Sequence, residues 1–120
     1  MFIMTETVSI NTVGLAGAAL GSADTKDLFG FLLDVYLNYH ASCPATADVT
    51  ISEATLGTIC VKSNNATDIR LAPRMATHDI AAAATGVYDQ YPISGPITIA
   101  VAEADALTAC LVATIRWLII

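Results

Sequence analysis

Positive charge is scarce in this sequence. Its 120 residues include five lysines and arginines against eleven acidic residues, which gives a net charge of −6. A protein that binds nucleic acid directly needs a basic surface to neutralise phosphates, so the composition argues against binding to DNA or RNA. Charged residues make up only 13% of the chain, whereas roughly 25% is usual in soluble domains. With 55% apolar residues, we expect some apolar surface to contact another subunit, although abundant alanines and threonines also contribute to the low charge fraction.

The signatures of common active sites are also missing. The sequence contains no GxSxG, GxxxxGK[ST], GxGxxG or HExxH motif, and its acidic residues are scattered singly. His40 and the His78-Asp79 pair would have to converge in space to form a metal site or a proton relay, and their spacing does not require this. His40 and Cys43 lie three residues apart, on opposite faces of an extended segment. We therefore predict no catalytic residue, no metal site and no cofactor, and a protein that is not an enzyme.

Membrane-spanning and secretory segments are absent from the sequence as well. No run reaches the ~20 apolar residues that cross a bilayer, and residues 1–4 (MFIM) lack the basic start of a signal peptide. The three cysteines, Cys43, Cys60 and Cys110, are odd in number and widely spaced. This favours reduced thiols in a cytosolic product, buried as small apolar side chains. A Cys43–Cys60 disulfide between neighbouring strands is the alternative.

The sequence does contain apolar residues at every second position, the pattern of half-buried β-strands. In residues 29–40 (FGFLLDVYLNYH) this pattern predicts an inward face made of Phe31, Leu33, Val35, Leu37 and Tyr39. Shorter alternating segments predict that Val49, Ile51, Ile59 and Val61 also point inward. Strands are predicted at residues 6–11, 29–40, 46–52, 57–62, 69–71, 97–102 and 108–120. Short strands separated by turn signals are typical of an all-β sandwich, here a single domain over residues 1–120.

Two segments do not fit this alternation. Residues 1–21 end in a glycine-rich, uncharged stretch, which is consistent with an arm that contacts a partner or with an irregular strand close to another backbone. Residues 72–96 are predicted to form a long loop that crosses between two sheets. A jelly roll and an immunoglobulin-like sandwich both accommodate such a loop. Trp117 follows every cysteine, so the Cys…Trp…Cys pattern of immunoglobulin domains is absent, and the jelly roll is favoured.

Apolar strand faces and the apolar residues 118–120 favour a protein that packs against other chains. Arg70 and Arg74 lie near Asp68 and Asp79 in the sequence, where they would either brace a loop or bridge to a neighbouring subunit. The predicted contacts lie in the N-terminal segment, in the loop and in the last strand: Val8, Ile10, Leu15, Arg70, Arg74, His78, Arg116, Trp117 and Ile119.

An ordered set of short phrases resembles small virion proteins of tailed bacteriophages. The phrases are PATADVTIS at residues 44–52, APR at 72–74, HD at 78–79 and YPISG at 91–95, followed by ITIAVA. The resemblance covers roughly residues 29–117 and consists of strand and turn phrases, without a catalytic signature. It implies a capsid cement or decoration protein, a compact β fold, often a jelly roll, that forms trimers and clamps neighbouring major capsid subunits.

The sequence thus predicts a structural virion protein on the capsid surface that stabilises the assembled phage head. Its expected partners are further copies of itself, in a homotrimer, and the major capsid protein, but not nucleic acid or a membrane. One alternative is a neck, tail or fibre-associated protein of the same kind of virion. Another is a carbohydrate-binding jelly roll that would use Trp117 and the tyrosines as stacking platforms.

Overall fold

The computed structural model describes all 120 residues and consists of strands joined by turns, without helices. The all-β class predicted from the alternation is therefore confirmed. The strands in chain order are β1 (Phe2–Ile10), β2 (Ala19–Asp24), β3 (Leu28–Tyr39), β4 (Asp48–Glu53), β5 (Gly57–Lys62), β6 (Ile69–Leu71), β7 (Arg74–His78), β8 (Ala84–Gln90), β9 (Pro92–Gly95), β10 (Ile97–Ala104) and β11 (Leu111–Ile119).

Nine of these strands form two sheets, and eight of the nine have the pairing of a jelly roll. The large sheet has the order β1-β11-β3-β6, with β9 also paired to β3, and the small sheet has the order β2-β10-β4-β5. Leaving out the inserted β7, β8 and β9, the first strand pairs with the last, the second with the seventh, the third with the sixth and the fourth with the fifth. A long antiparallel hairpin rolled into two sheets gives this order. The predicted jelly-roll-like sandwich is therefore confirmed.

The hydrophobic core lies between the two sheets and is built by the alternation itself. In β4, Val49 and Ile51 are buried, whereas the intervening Thr50 and Ser52 stay partly exposed. Side chains of both sheets join in one cluster of 22 buried residues. Its largest fully buried members are Ile10, Leu28, Leu32, Leu37, Ile51, Ile97, Ile99, Leu111 and Ile115.

The long strand β3 changes face partway along its length. Its pairing with β11 shifts between Asp34 and Leu32, so that Leu33 forms a β-bulge. A bulge adds one residue to one strand and therefore reverses the alternation beyond it. Leu32 is fully buried, whereas Phe31 faces outward with only partial cover. The predicted inward placement of Phe31 and Leu33 was wrong. The placement on the other side of the bulge is confirmed for Val35, Leu37 and Tyr39.

A second bulge has the same effect in β5. The register with β4 shifts so that Cys60 lies opposite Ile51 and Thr58 lies opposite Ser52, which leaves Ile59 without a partner. Ile59 still reaches the core, but Val61 is 52% exposed. The predicted inward orientation of Val61 was therefore wrong.

The two segments without clear alternation are both parts of the sheet system. Residues 1–21 are not a free arm, because Phe2–Ile10 pairs with β11 along its whole length. The glycine-rich stretch leads into β2, where Gly21 lies so close to Asn11 that a Cβ atom would lie 1.9 Å from the Asn11 carbonyl oxygen. Of the two interpretations of this stretch, a strand close to another backbone is the one that the structure supports.

Residues 72–96 do not form the predicted loop. They contain the hairpin β7–β8 and the edge strand β9, inserted between the sixth and seventh strands of the jelly roll. β9 returns to the large sheet, where its residues pair with the start of β3. The chain crosses to the small sheet only afterwards, between Gly95 and Ile97. The crossing is therefore short, and most of the insertion is a hairpin.

Candidate interaction surface

One end of the large sheet is apolar and open to solvent. The first residues of β1 pair with the last residues of β11, and Phe2 lies opposite Ile119 while Ile3 lies opposite Leu118. The relative exposure is 71% for Phe2 and 60% for Ile3. We call this region the apolar sheet end. It comprises Phe2, Ile3, Met4, Phe29, Phe31, Pro92, Leu118, Ile119 and Ile120.

Strand register arranges part of this region as a straight row on the outer face of the large sheet. Ile3 pairs with Leu118, Leu118 with Phe31, and Phe31 with Pro92. Paired residues of neighbouring strands point to the same face of a sheet, so the four side chains lie side by side across four strands. We call this set the outer row. Contiguous apolar residues at the surface are typical of sites where another protein packs.

A glycine in β3 supports this arrangement. Gly30 has a φ of +138°, and a Cβ atom there would lie 1.9 Å from the carbonyl oxygen of Leu118. Only glycine permits both the backbone conformation and the close approach of β3 to β11. Phe29 and Phe31 flank Gly30 and are thereby held on the outer face at this end of the sheet.

An arginine cluster lies next to the outer row. Arg116, two residues before Leu118 on the same face of β11, binds Asp34 with two hydrogen bonds of 2.9 Å from Nε and 2.5 Å from Nη2. Arg70 of β6 donates a third, of 3.3 Å, and its guanidinium lies 5.1 Å from the ring centre of Tyr36. Arg74 donates to the carbonyl oxygen of Leu33 at 3.0 Å. Two of the five basic residues of the chain thus bind one carboxylate, and Arg74 binds the backbone of the residue before Asp34.

The electrostatics of this cluster follow from its geometry. The hydrogen bonds from Arg116 hold the pKa of Asp34 below its ordinary value, and the charges of Arg116 and Arg70 act in the same direction against the effect of burial. Asp34 in turn raises the pKa of Arg116. Asp34 is almost fully covered, but the side chains of Arg70 and Arg116 are 51% and 40% exposed. The cluster therefore presents uncompensated positive charge to solvent.

The β7–β8 hairpin is the second exposed apolar element. Its two strands pair only with each other, and every residue from His78 to Asp89 is exposed. Asp79 closes its tip, because its Oδ1 accepts hydrogen bonds from the backbone N–H groups of Ala81 and Ala83 at 2.9 and 3.0 Å. Ile80 at the tip is fully exposed, and Val87 is 62% exposed.

The structure separates the predicted contact residues into two groups. Val8, Ile10 and Trp117 are side chains of the core and are closed to a partner of the folded chain. The remaining predicted positions are open to solvent, at least in part. They are Leu15, Arg70, Arg74, His78, Arg116 and Ile119. The arginines and Ile119 belong to the surface described above, whereas Leu15 lies in the turn before β2.

The ion pairs expected of the loop have other partners than those predicted. Asp68 accepts a hydrogen bond from the backbone of Tyr39, and Asp79 caps the hairpin tip. The carboxylate that binds Arg70 is Asp34, on a strand distant in sequence. Asp34, the single charged residue of β3, was the only signal of this arrangement. The exposed residues of the hairpin tip were missed because the segment was interpreted as a loop.

The cysteines and His40 occupy structural positions. Cys43 and Cys110 are buried with their Sγ atoms 3.7 Å apart, and all three cysteines are free thiols, so the structure does not contain the Cys43–Cys60 disulfide. Burial, together with Cys110, raises the pKa of the Cys43 thiol to about 12. His40 Nδ1 accepts a hydrogen bond from the backbone N–H of Ser42 at 2.9 Å, so this side chain braces the turn after β3.

No three His, Cys, Asp or Glu side chains come together in an arrangement that would bind a metal ion. The structure holds no helix with the length and apolar character needed to cross a membrane. Neither a protein-family model nor a curated protein sequence matches the chain. The physical description of its surface is therefore the basis for assigning a function.

Proposed function

We propose that this chain is a structural protein of a tailed-phage virion, a capsid cement or decoration protein that binds the assembled head as a homo-oligomer. The observation that carries the proposal is the apolar sheet end beside the arginine cluster. Large apolar side chains at 60–71% exposure, such as Phe2 and Ile3, favour burial against another protein. The phrase pattern described above supports a virion as the place where that protein is found.

The chemistry of the surface suits this role. A ligand that binds only the assembled shell stabilises the shell by mass action. A homo-oligomer presents the same surface several times, so that individually weak contacts add up to firm attachment. Arginine at the border of an apolar patch adds directional hydrogen bonds to carboxylates of the partner. The proposed partners are other copies of the chain and the major capsid protein.

The carbohydrate-binding alternative loses its main support in this fold. Trp117, the single tryptophan and the strongest candidate for stacking on a sugar ring, is only 6% exposed and packs in the core. Tyr39 is likewise buried. We therefore give priority to protein–protein contacts over sugar binding.

The first test is the copy number of the chain in purified phage particles, measured by quantitative mass spectrometry against the major capsid protein. A cement protein is expected at equal copy number to the capsid protein or at a simple fraction of it. A small fixed number of copies per particle would place the chain in the neck or tail. Absence from the particles would contradict a virion role.

The second test examines the surface itself. Truncation of either terminal strand is unsuitable, because Val8, Ile10 and Trp117 belong to the core. We instead expect the double variant Phe2→Ser, Ile3→Ser to bind particles less, with unchanged folding, because both side chains are exposed. Val61→Ser removes a 52% exposed apolar side chain from the other sheet and is the matched control. Equal loss of binding in both would argue against the apolar sheet end as the contact.

A further inference from the structure

The hairpin tip and the outer face of the large sheet carry complementary features. The tip presents a carboxylate, Asp79, directly beside a fully exposed apolar side chain, Ile80. The outer face presents the arginine cluster directly beside the outer row, because Arg116 and Leu118 are neighbours on one face of β11. Each surface thus pairs one charge with one apolar element, and the charges have opposite signs.

The charges on both sides are available for an additional partner. Two arginines, Arg70 and Arg116, share the single carboxylate of Asp34, so the cluster keeps excess positive charge in a chain whose net charge is −6. On the tip, both backbone hydrogen bonds of Asp79 are accepted by Oδ1, which leaves Oδ2 without a partner in the chain. A carboxylate oxygen of this kind binds a partly exposed guanidinium favourably.

No other part of the chain buries the exposed apolar side chains of the hairpin. Two-stranded hairpins without a packed face have marginal stability in water. Val87 and Tyr88 point to opposite faces of this hairpin, and both are more than 60% exposed. A partner that covers the hairpin would bury these side chains together with Ile80.

We propose that the hairpin tip of one copy of this chain docks on the outer face of the large sheet of a second copy. Asp79 then faces Arg70 and Arg116, and Ile80 packs against the outer row. This inference rests on the homo-oligomer of the proposed function and names its contact. The second copy is the favoured occupant because both complementary surfaces occur on the same chain. Such a contact joins two different surfaces, so its repetition builds a ring where the rotation between copies closes and an open filament where it does not.

The test is the mass of the purified protein by light scattering, with charge reversals at both sides of the contact. We expect an oligomer for the natural chain and about tenfold or greater weakening of self-association for Asp79→Arg and for Arg70→Asp alone. The double variant in one chain restores an opposite-charge pair and recovers the oligomer. Recovery separates the contact from a folding defect, since damage to the turn or to Asp34 would not be repaired by the second change.

Mixing the two single variants gives a further result that only this geometry produces. The natural tip of the Arg70→Asp chain meets the natural sheet face of the Asp79→Arg chain, and the two substituted surfaces also carry opposite charges. The mixture should therefore recover the self-association that neither variant shows alone. The control Asp89→Arg makes the same charge change near the base of the hairpin and should leave the oligomer intact. A monomeric natural chain, unchanged mass of the single variants, or equal weakening by Asp89→Arg overturns the inference.

The outcome of this light-scattering test is independent of the copy number in particles, which tests the proposed function. Stoichiometric presence in particles with intact oligomers of the charge variants would sustain the virion role and refute this contact. Absence of the chain from particles, together with the expected masses of the charge variants, would refute the virion role and sustain this contact.

Discussion

The sandwich and the β7–β8 hairpin are built from strands of similar length but differ in what holds them. Strands of the sandwich have neighbours in the sheet and a second sheet against one face, and their inward residues form one core. The hairpin has one hydrogen-bonded ladder, a cross-strand hydrogen bond of 2.6 Å between Thr77 and Thr85, and no buried face. The sandwich therefore supplies most of the free energy of folding, and the exposed side chains of the hairpin remain available to contact a partner.

The largest expected effect is a cavity in the core. Leu37 is fully buried in β3, so Leu37→Ala should lower the free energy of unfolding by about 2–5 kcal/mol. The matched change in the hairpin, Val87→Ala, should stay within about 0.5 kcal/mol, because Val87 is 62% exposed. Urea denaturation of both variants measures the difference. Similar values for the two would mean that the hairpin is covered in the isolated protein.

Two glycines with positive φ test the same difference in packing between the sandwich and the hairpin. Gly30→Ala places a Cβ atom against the carbonyl oxygen of Leu118 and should cost about 2–4 kcal/mol through strain and overpacking. Gly86, in the hairpin, has a φ of +77° and no atom within 4 Å of a Cβ, so Gly86→Ala should cost only about 1–2 kcal/mol for its backbone conformation. Thermal unfolding monitored by circular dichroism compares the pair. A Gly30→Ala variant as stable as the Gly86→Ala variant would contradict the close approach of β3 to β11.

The sequence predicted the parts of the fold that depend on local alternation. Val49 and Ile51 were placed correctly because β4 is regular, and β6 was predicted with the bounds that the structure gives it. The bulges at Leu33 and Ile59 were not predicted, because a bulge arises from the pairing of two strands and leaves no trace in the pattern of one. The faces of Phe31 and Val61 were wrong for that reason.

The candidate site was harder to predict than the fold. Trp117 and Ile10 were expected at contacts because apolar residues near the ends of the chain look the same whether they pack inward or outward. The hairpin has mostly small side chains at residues 81–86, which hide its alternation. The cluster around Asp34 joins β3, β6 and β11, so only the strand order brings its members together.

A smaller effect is expected from the ion pairs, with a defined dependence on pH. The arginines lower the pKa of Asp34 in the folded state, so their stabilisation is complete above the pKa of the unfolded carboxyl group and is lost as the pH falls through the folded pKa. Asp34→Asn should therefore lower the free energy of unfolding by about 1–2 kcal/mol at neutral pH. The difference should begin to shrink as the pH falls below about 4, where the carboxyl group of the unfolded chain takes up a proton, and it should vanish below the lower pKa of the folded state.

The comparison variant for this pH series lies in the hairpin. Asp89 is exposed, and its Oδ1 accepts one hydrogen bond from the neighbouring backbone N–H of Gln90 at 2.8 Å, without an arginine partner. Asp89→Asn should change stability less than Asp34→Asn at neutral pH. Urea denaturation at several pH values tests both variants. A constant difference between the natural chain and Asp34→Asn across the series would show that charge on Asp34 contributes nothing.

The smallest effect on stability is expected from removing most of the hairpin. Met75 lies opposite Asp89, so residues 76–88 can be replaced by Asn-Gly, a pair that closes two-residue hairpin turns. Because the removed residues bury almost nothing, the free energy of unfolding should change by only about 0.5 kcal/mol. Self-association should nevertheless be lost, since the tip with Asp79 and Ile80 is gone.

The other outcomes of this deletion are distinct. A shortened chain that fails to fold would show that the hairpin contributes to the stability of the sandwich. A shortened chain that folds and still forms the oligomer would place the contact elsewhere. Unchanged stability with lost assembly would identify the hairpin as an element whose role is contact alone.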